Sequence, residues 1–411
     1  MEEEQQVEVP CYFLCPISLH IMRDPVTLPT GITYDRDGIE RWLLTAGTCP
    51  LTKQPVPADC EPTPNHTLRR LIQSWCALHA ADGVERVPTP RPPADRARVA
   101  ALASQLDARR SSPQELLAAL RELRDVAAES ERNRKLVAAV AGAVDVLAAV
   151  FVASTTTSEN AAVCDEALEI ISSLQLPERC LARIVDRNEA LVDALVAALQ
   201  RSNATTRAHA AQLLEGAAAV MPSNRMVSLP EQLFRELVQL LRDKVSKPAT
   251  KAALHALVGT TSWGRNRVKA VDAGAVPVLV DMLFDAPERR ACELALAALD
   301  RLCGCAEGRA ELVAHGAGLA AVGRKALRVS DVATDRAVRV LRSVARHTAT
   351  AAVVQEMAQA GVVGTLCLVA QAEQCGERTR ERARETLRLH ARAWRSSPCL
   401  HPHLQAMYPP C

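Results

Sequence analysis

Residues 14–56 read LCPISLHIMRDPVTLPTGITYDRDGIERWLLTAGTCPLTKQPV. Two Cys-Pro pairs bracket a run of turn residues and one helical segment. Asp24-Pro25 and Pro29-Thr30-Gly31 read as loop and hairpin signals. Asp35 stands where a helix N-cap belongs, ahead of a helix over Arg36–Leu44. Ile39, Trp42 and Leu43 share one face of that helix. Asn65 is placed to cap a second helix, with Leu68, Leu71, Ile72 and Trp75 expected to point inward. Cys11, Cys15, His20, Cys49, Cys60, His66 and Cys76 do not form the ordered ligand pairs of a zinc cross-brace.

Five of the eleven aromatic residues, Tyr12, Phe13, Tyr34, Trp42 and Trp75, lie in the first 80 positions. A module of about 70 residues needs such large side chains to fill its core, so this end reads as its own domain. Pro88, Pro90, Pro92 and Pro93 then make a stiff linker or strap. Ser111-Ser112-Pro113-Gln114-Glu115 is a helix start, with Ser112 as cap, Pro113 at the first position and Glu115 closing a capping box.

From there a repeat runs through the text. AGAVDVLAAV (141–150), ALVDALVAAL (190–199), FRELVQLL (234–241), AGAVPVLVDML (273–283), HGAGLAAVGRKAL (315–327) and AGVVGTLCLV (360–369) align on Leu147, Leu195, Leu237, Leu279, Ala321 and Leu366. The spacing is close to 42 residues, and an Ala/Leu-rich helix precedes each aligned unit. Such units bury their apolar faces only against neighbours, which gives a right-handed α-solenoid. The pattern resembles the armadillo repeat, whose short first helix ends in a glycine turn, here Gly142, Gly274, Gly316 and Gly361.

The motifs CPIS, M-x-DPV, G-x-TYDR, I-x-x-WL, CP-x-T-x-x-P and PN-x-x-LR-x-LI resemble the U-box over about residues 10–80. With the repeats behind it, the chain resembles plant U-box/armadillo-repeat E3 ubiquitin ligases. The expected fold is mostly α: a small α+β U-box, RING-like without zinc, then an armadillo-type α-solenoid. The expected domains are 8–82 (U-box), 83–110 (proline-rich linker and lead-in helix), 111–400 (armadillo repeats) and 401–411 (C-terminal tail).

The resemblance implies that salt bridges and hydrogen bonds replace the metals. Asp24, Asp35, Arg36, Asp37, Glu40 and Arg41 supply the charges, and Cys15, Asp24, Pro25, Tyr34 and Asp35 are structural. A ubiquitin-conjugating enzyme would sit on Ile17 and Leu19 of a first loop, Trp42 of the helix, and Pro50 of a second loop. Lys53 falls where related ligases place a basic residue touching enzyme and ubiquitin. Cys15 reads as a packing residue, since no histidine is placed to activate it. No covalent nucleophile, metal or cofactor is implied, because such a ligase works by proximity and orientation. A homo-oligomer through the U-box is also compatible.

The repeats would recruit a protein substrate. The Trp-x-x-x-Asn ladder of nuclear import receptors does not occur on the corresponding helices. Arg207, His209, Arg290, Arg336, Arg339 and Arg342 offer a partly basic groove for an acidic partner, or a solvated helix face. Net charge is only +2, which gives no ground for general nucleic-acid binding. No stretch reads as a signal peptide, a membrane span or a prenylation box. Fourteen scattered cysteines read as thiols of a reducing compartment, so a cytoplasmic and nuclear location is expected. Only seven lysines stand beside 42 arginines (49 − 7), which fits GC-rich codon usage or a protein that works where lysines are modified. Short members of the class restrain plant immune and stress signalling. The competing reading is a non-catalytic armadillo scaffold with a degenerate U-box.

Overall fold

The structure, a computed structural model, describes residues 9–57, 60, 62–80, 84–85, 96–106, 112–155, 160–285, 288–395, 397–406 and 408. It divides into two compact units, 1–95 and 96–411. The proline strap at 88–93 and Ser111 lie outside the described residues.

The first unit holds strands β1 (Pro25–Thr27), β2 (Thr33–Asp35) and β3 (Thr63–Pro64) and helices α1 (Arg36–Ala46) and α2 (His66–Leu78). The strands form one antiparallel sheet in the order β2-β1-β3, with Val26 opposite both Tyr34 and Pro64. The turn between β1 and β2 closes through Gly31 N–H to Leu28 O at 2.9 Å. Phe13, Met22, Val26, Leu28, Tyr34, Ile39 and Ile72 fill the core beneath the sheet and both helices. Asn65 caps α2, its side chain accepting from Leu68 N–H at 3.1 Å. Ile72 points inward and Leu68 and Trp75 pack partly against the core, but Leu71 is 53 % exposed. A helix of this width buries one stripe, and Leu71 falls just outside it.

The second unit opens with α3 (Arg96–Gln105) and α4 (Pro113–Glu129). The Ser112 capping box is present in full, with Ser112 N–H donating to Glu115 Oε2 at 2.8 Å and Glu115 N–H to Ser112 Oγ at 3.3 Å. Six three-helix units follow among the described residues: α5 (Glu131–Ala139), α6 (Ala143–Ser154) and α7 (Ala161–Ser173); α8 (Glu178–Arg187), α9 (Leu191–Leu199) and α10 (Ala204–Val220); α11 (Ser223–Val227), α12 (Glu231–Asp243) and α13 (Lys247–Thr260); α14 (Gly264–Asp272), α15 (Ala275–Asp285) and α16 (Arg289–Leu302); α17 (Ala306–Ala314), α18 (Gly318–Lys325) and α19 (Asp331–His347); α20 (Ala351–Gln359), α21 (Val362–Gln371) and α22 (Glu377–Leu389). Each second helix packs on the next second helix and each third helix on the next third helix, from α3 and α4 onward.

The aligned positions Leu147, Leu195, Leu237, Leu279, Ala321 and Leu366 all fall on second helices and are all buried. The turn into the second helix is left-handed at Gly142, Gly274 and Gly361, with φ of 82°, 81° and 75°. It lets α5 and α6 meet at 83° and α20 and α21 at 68°. Gly316 does not share this conformation, so the glycine expected to mark the fifth unit performs no left-handed turn there.

The described part of the C-terminal segment packs on the stack. Helices α23 (Ala391–Trp394) and α24 (Pro402–Ala406) cover its last layer. Trp394 is fully buried and donates to Val354 O at 2.8 Å; Tyr408 donates to Leu387 O at 2.5 Å. An end layer lacks a neighbouring repeat, and these side chains supply the missing contact. Among the described residues no single helix is long and apolar enough to cross a membrane.

Candidate functional site

Two loops of the first unit, Cys15–His20 and Cys49–Gln54, share one backbone solution. In each, the cysteine N–H donates to the sixth residue's carbonyl, His20 O at 2.8 Å and Gln54 O at 2.9 Å. The fifth residue's N–H donates back to the cysteine carbonyl, Leu19 to Cys15 at 2.8 Å and Lys53 to Cys49 at 2.9 Å. That fifth residue is left-handed in both, with φ of 58° at Leu19 and 59° at Lys53. A non-glycine residue costs about 1–2 kcal/mol in this conformation, so the paired hydrogen bonds must hold it there. CPISLH and CPLTKQ are the sequence trace of this duplication.

The two sulfurs point inward and act as hydrogen-bond acceptors. Cys15 Sγ receives Asp35 N–H at 3.2 Å. Cys49 Sγ lies 3.1 Å from the Tyr34 hydroxyl and receives Thr30 Oγ1–H at 3.4 Å. Leu51 N–H donates to the Tyr34 oxygen at 3.3 Å, which leaves the phenol proton free to face the sulfur. Burial pushes the Cys49 thiol up, but the hydroxyls of Thr30, Thr52 and Tyr34 outweigh it and bring the thiol down to about 6. Burial, with the bond to Cys49, pushes Tyr34 up to about 12.

A depressed folded-state value makes the thiolate a stabilising species. That stability is fully present above the unfolded thiol's range and is lost as pH falls through about 6. The U-box melting temperature is therefore expected to rise from pH 6 to pH 9. Cys49→Ala should flatten this rise; an unchanged slope in Cys49→Ala would remove the assignment.

Outward, Leu19 is 74 % and Leu51 57 % exposed, while Ile17 and Pro50 are half-buried. Helix α1 touches both loops, with Gly38 beside Ile17 and the Trp42 indole N–H donating to Thr48 O at 2.8 Å. Lys53 Nζ lies 5.7 Å above the Trp42 ring, a cation–π distance. The structure thus joins Trp42 to Lys53, carries Pro50 on the same loop as Lys53, and carries Ile17 and Leu19 on the sister loop. Leu51 was missing from the sequence-derived set. The match of CPLT to CPIS would have found it, since Leu51 occupies Ile17's place.

The framework behind the loops centres on Asp24. Its carboxylate receives Arg36 Nε at 2.6 Å and Arg69 from α2, and Arg36 also meets Glu40 at 3.4 Å. Arg36 N–H donates to Asp24 O at 3.0 Å, just before buried Pro25 enters β1. Asp35 does not cap α1 with its side chain. Its Oδ1 instead accepts Arg23 N–H at 3.0 Å and Asp24 N–H at 2.8 Å, tying β2 to the segment before β1. Asp37 and Arg41 are exposed and cross-link nothing among the described residues. Arg69, 45 residues from Asp24, is the partner that the sequence reading missed. Among the described residues no three His, Cys, Asp or Glu side chains converge as metal ligands.

On the solenoid, the arginines expected to form a basic groove are paired. Arg207 meets Asp243 at 2.6 Å, Arg290 meets Glu293 at 3.2 Å, Arg336 and Arg339 share Asp300 at 2.9 Å each, and Arg342 meets Glu385 at 2.7 Å. Burial lowers the His209 imidazole's proton affinity. Asp243, Asp300 and Glu385 lie one repeat away from their arginines and Glu293 one turn along the same helix as Arg290, so they offset the charge of the face that was read as basic.

The unit with the small sheet and two hydrogen-bonded loops, and the stacked three-helix repeats that follow it in the chain, coincide with matches to two family models: the U-box domain at residues 9–81 and the plant U-box protein ARM repeat region at 98–408. The chain belongs to the plant U-box family with armadillo repeats, and it is a U-box E3 ubiquitin-protein ligase. It is 46 % identical over 413 residues to E3 ubiquitin-protein ligase PUB23 of Arabidopsis thaliana, covering 99 % of this chain and 98 % of that one. It is 41 % identical to E3 ubiquitin-protein ligase PUB22 of the same plant, covering 99 % and 100 %. An engineered protein of known structure superposes with a TM-score of 0.54 at 19 % identity, covering 83 % of each chain.

Proposed function

We propose that the paired loops and α1 bind a ubiquitin-conjugating enzyme charged with ubiquitin, and that the repeats hold the protein substrate whose lysine attacks the thioester. The observation that carries this is the outward apolar set Ile17, Leu19, Pro50 and Leu51 beside Trp42, borne on two hydrogen-bonded loops. Solvent-facing aliphatic side chains on rigid loops form a docking surface that needs little ordering on binding. No nucleophile is involved; catalysis is orientation of two partners. The test is reconstitution with ubiquitin, activating enzyme and a panel of conjugating enzymes, with a zinc chelator present. Chains are expected with at least one conjugating enzyme and no zinc. Failure with every one would favour the non-catalytic scaffold.

Lys53 supplies the contact that favours the closed, reactive thioester. Lys53→Ala is expected to slow single-turnover discharge of the charged enzyme to free lysine. Lys53→Arg is expected to speed it about two- to tenfold, since a guanidinium forks two hydrogen bonds where an ammonium offers a point charge. Equal discharge by all three proteins would assign Lys53 to the Trp42 contact alone.

The family resemblance supports a role in plant immune or stress signalling, and the free thiols of the described cysteines support a reducing, cytoplasmic or nuclear setting. Self-association through the U-box is also part of this reading, with Tyr12, Leu71 and Leu78 exposed on that unit.

A further inference from the structure

A cleft of about 440 Å³ opens between the C-terminal ends of α16 and α19, the middle of α22 and Arg267 of α14. Its wall carries Arg267, Arg301, Arg339, Arg342, Arg346 and Arg382, against Asp300 alone. The bonds within this wall separate framework from surplus. Arg339 is tied to Asp300, Arg342 to Glu385 and Arg382 to Asp335. Arg267 donates through Nε to Thr261 O and through Nη2 to Ser262 O, each at 3.0 Å. Its Nη1 passes over Gly304, where a Cβ would lie 2.6 Å away, so the glycine makes room for the guanidinium. Arg301 and Arg346 are exposed and have no ion pair or side-chain hydrogen bond among the described residues.

We propose that this cleft receives an anionic segment of the substrate protein, a phosphorylated serine or threonine or a short run of carboxylates. The proposal rests on the ligase reading above and names the chemistry its repeats recognise. Arg301 and Arg346 are the ligand-binding pair; the ion-paired arginines hold the cleft's shape, and Arg267, bonded to carbonyls, adds to its positive field. Guanidinium forks match the oxygens of a phosphate or carboxylate and form short charge-assisted bonds. Nucleic acid is disfavoured because, among the described residues, no Phe, Tyr or Trp lines the cleft and His347 is the ring on its wall, which leaves no platform for successive bases.

The test uses the full chain and three degenerate nonapeptide pools, centred on phosphoserine, on serine and on three consecutive glutamates, with a single-stranded oligoadenylate as a fourth ligand. The phosphoserine or glutamate pool is expected to bind above the serine pool and to weaken with salt. Which of the two binds tighter identifies the source of the anion. The Arg301→Glu/Arg346→Glu protein is expected to lose about tenfold or more in affinity, with an unchanged circular dichroism melt. Arg301→Lys/Arg346→Lys should recover part of it. Equal binding of all three pools, tighter binding of the oligoadenylate, or full affinity in the double Glu variant would overturn the proposal. Substrate-free chain assembly by the wild type is read separately. Its absence would defeat the ligase reading while leaving the peptide result standing.

Discussion

Asp24→Ala is expected to unfold the U-box and leave the solenoid folded. The substitution strips Arg69 of its counter-charge and leaves Arg36 with Glu40 alone at 3.4 Å, the two arginine side chains being only 14 % and 10 % exposed. Removing one partner of a buried pair costs about 3–5 kcal/mol, because the remaining charge stays buried and uncompensated. A module of about 70 residues has a total stability of only about 4–10 kcal/mol. The loss therefore removes most of what holds the unit together. Hydrogen exchange on the full chain reads both units at once: amides of 22–35 and 36–46 should lose protection while those of 131–389 keep it. Ubiquitin chain assembly should vanish with the first set. Asp24→Asn keeps the volume and one acceptor and should fall between. Unchanged protection in Asp24→Ala would show that the two arginines are adequately solvated.

The second large effect falls on binding rather than stability. Leu51→Ala and Ile17→Ala are each expected to weaken conjugating-enzyme affinity about 30-fold or more, the size of an interface hot spot. Leu51 is mostly exposed, so its variant should melt within about 0.5 kcal/mol of the wild type. Ile17 and Trp42 are half-buried and lose part of their core packing as well. Trp42→Ala, with the bond to Thr48 O also gone, should lose about 2 kcal/mol, below the 3–5 of a fully buried aromatic. Pro50→Ala should act like Leu51→Ala. Full activity in Ile17→Ala would refute the loop surface.

These two effects differ in how far they could be read in advance. The solenoid was legible because a period near 42 residues repeats one burial pattern, and every aligned position is buried on the same helix of its unit. The U-box was legible because its turn and cap residues are locally determined. The Asp24 cluster was only half legible: a carboxylate can be named as a cross-link, but its partner on α2 is set by how two helices pack, which local sequence does not encode. Asp35 misled for a related reason. Its backbone sits at the N-cap, yet two N–H groups before β1 compete successfully for its side chain. Leu71 misled because a stripe of apolar residues wider than the buried face reads as wholly inward. The surplus pair Arg301 and Arg346 became visible only after the carboxylates that occupy the other arginines were located.

Those cross-repeat arginine–carboxylate pairs have a mechanical consequence. Arg124 reaches Glu166, Arg336 and Arg339 reach Asp300, and Arg342 reaches Glu385, each bond joining consecutive third helices at 2.7–2.9 Å. Single exposed pairs contribute about 0–1 kcal/mol, so they add little to folding, which apolar burial drives. They act instead as tie rods along one side of an elastic rod. Because each repeat touches only its neighbours, small hinge angles add along the stack. The ties lie at the α4/α7, α16/α19 and α19/α22 joints, so tension on one side bears on the bend toward the two ends of the stack. The ties are softened by salt over a screening length of about 8 Å at physiological ionic strength, while the apolar joints are not. The stack thereby behaves as a spring whose stiffness is carried by its apolar joints and whose end segments take a bend tuned by ions.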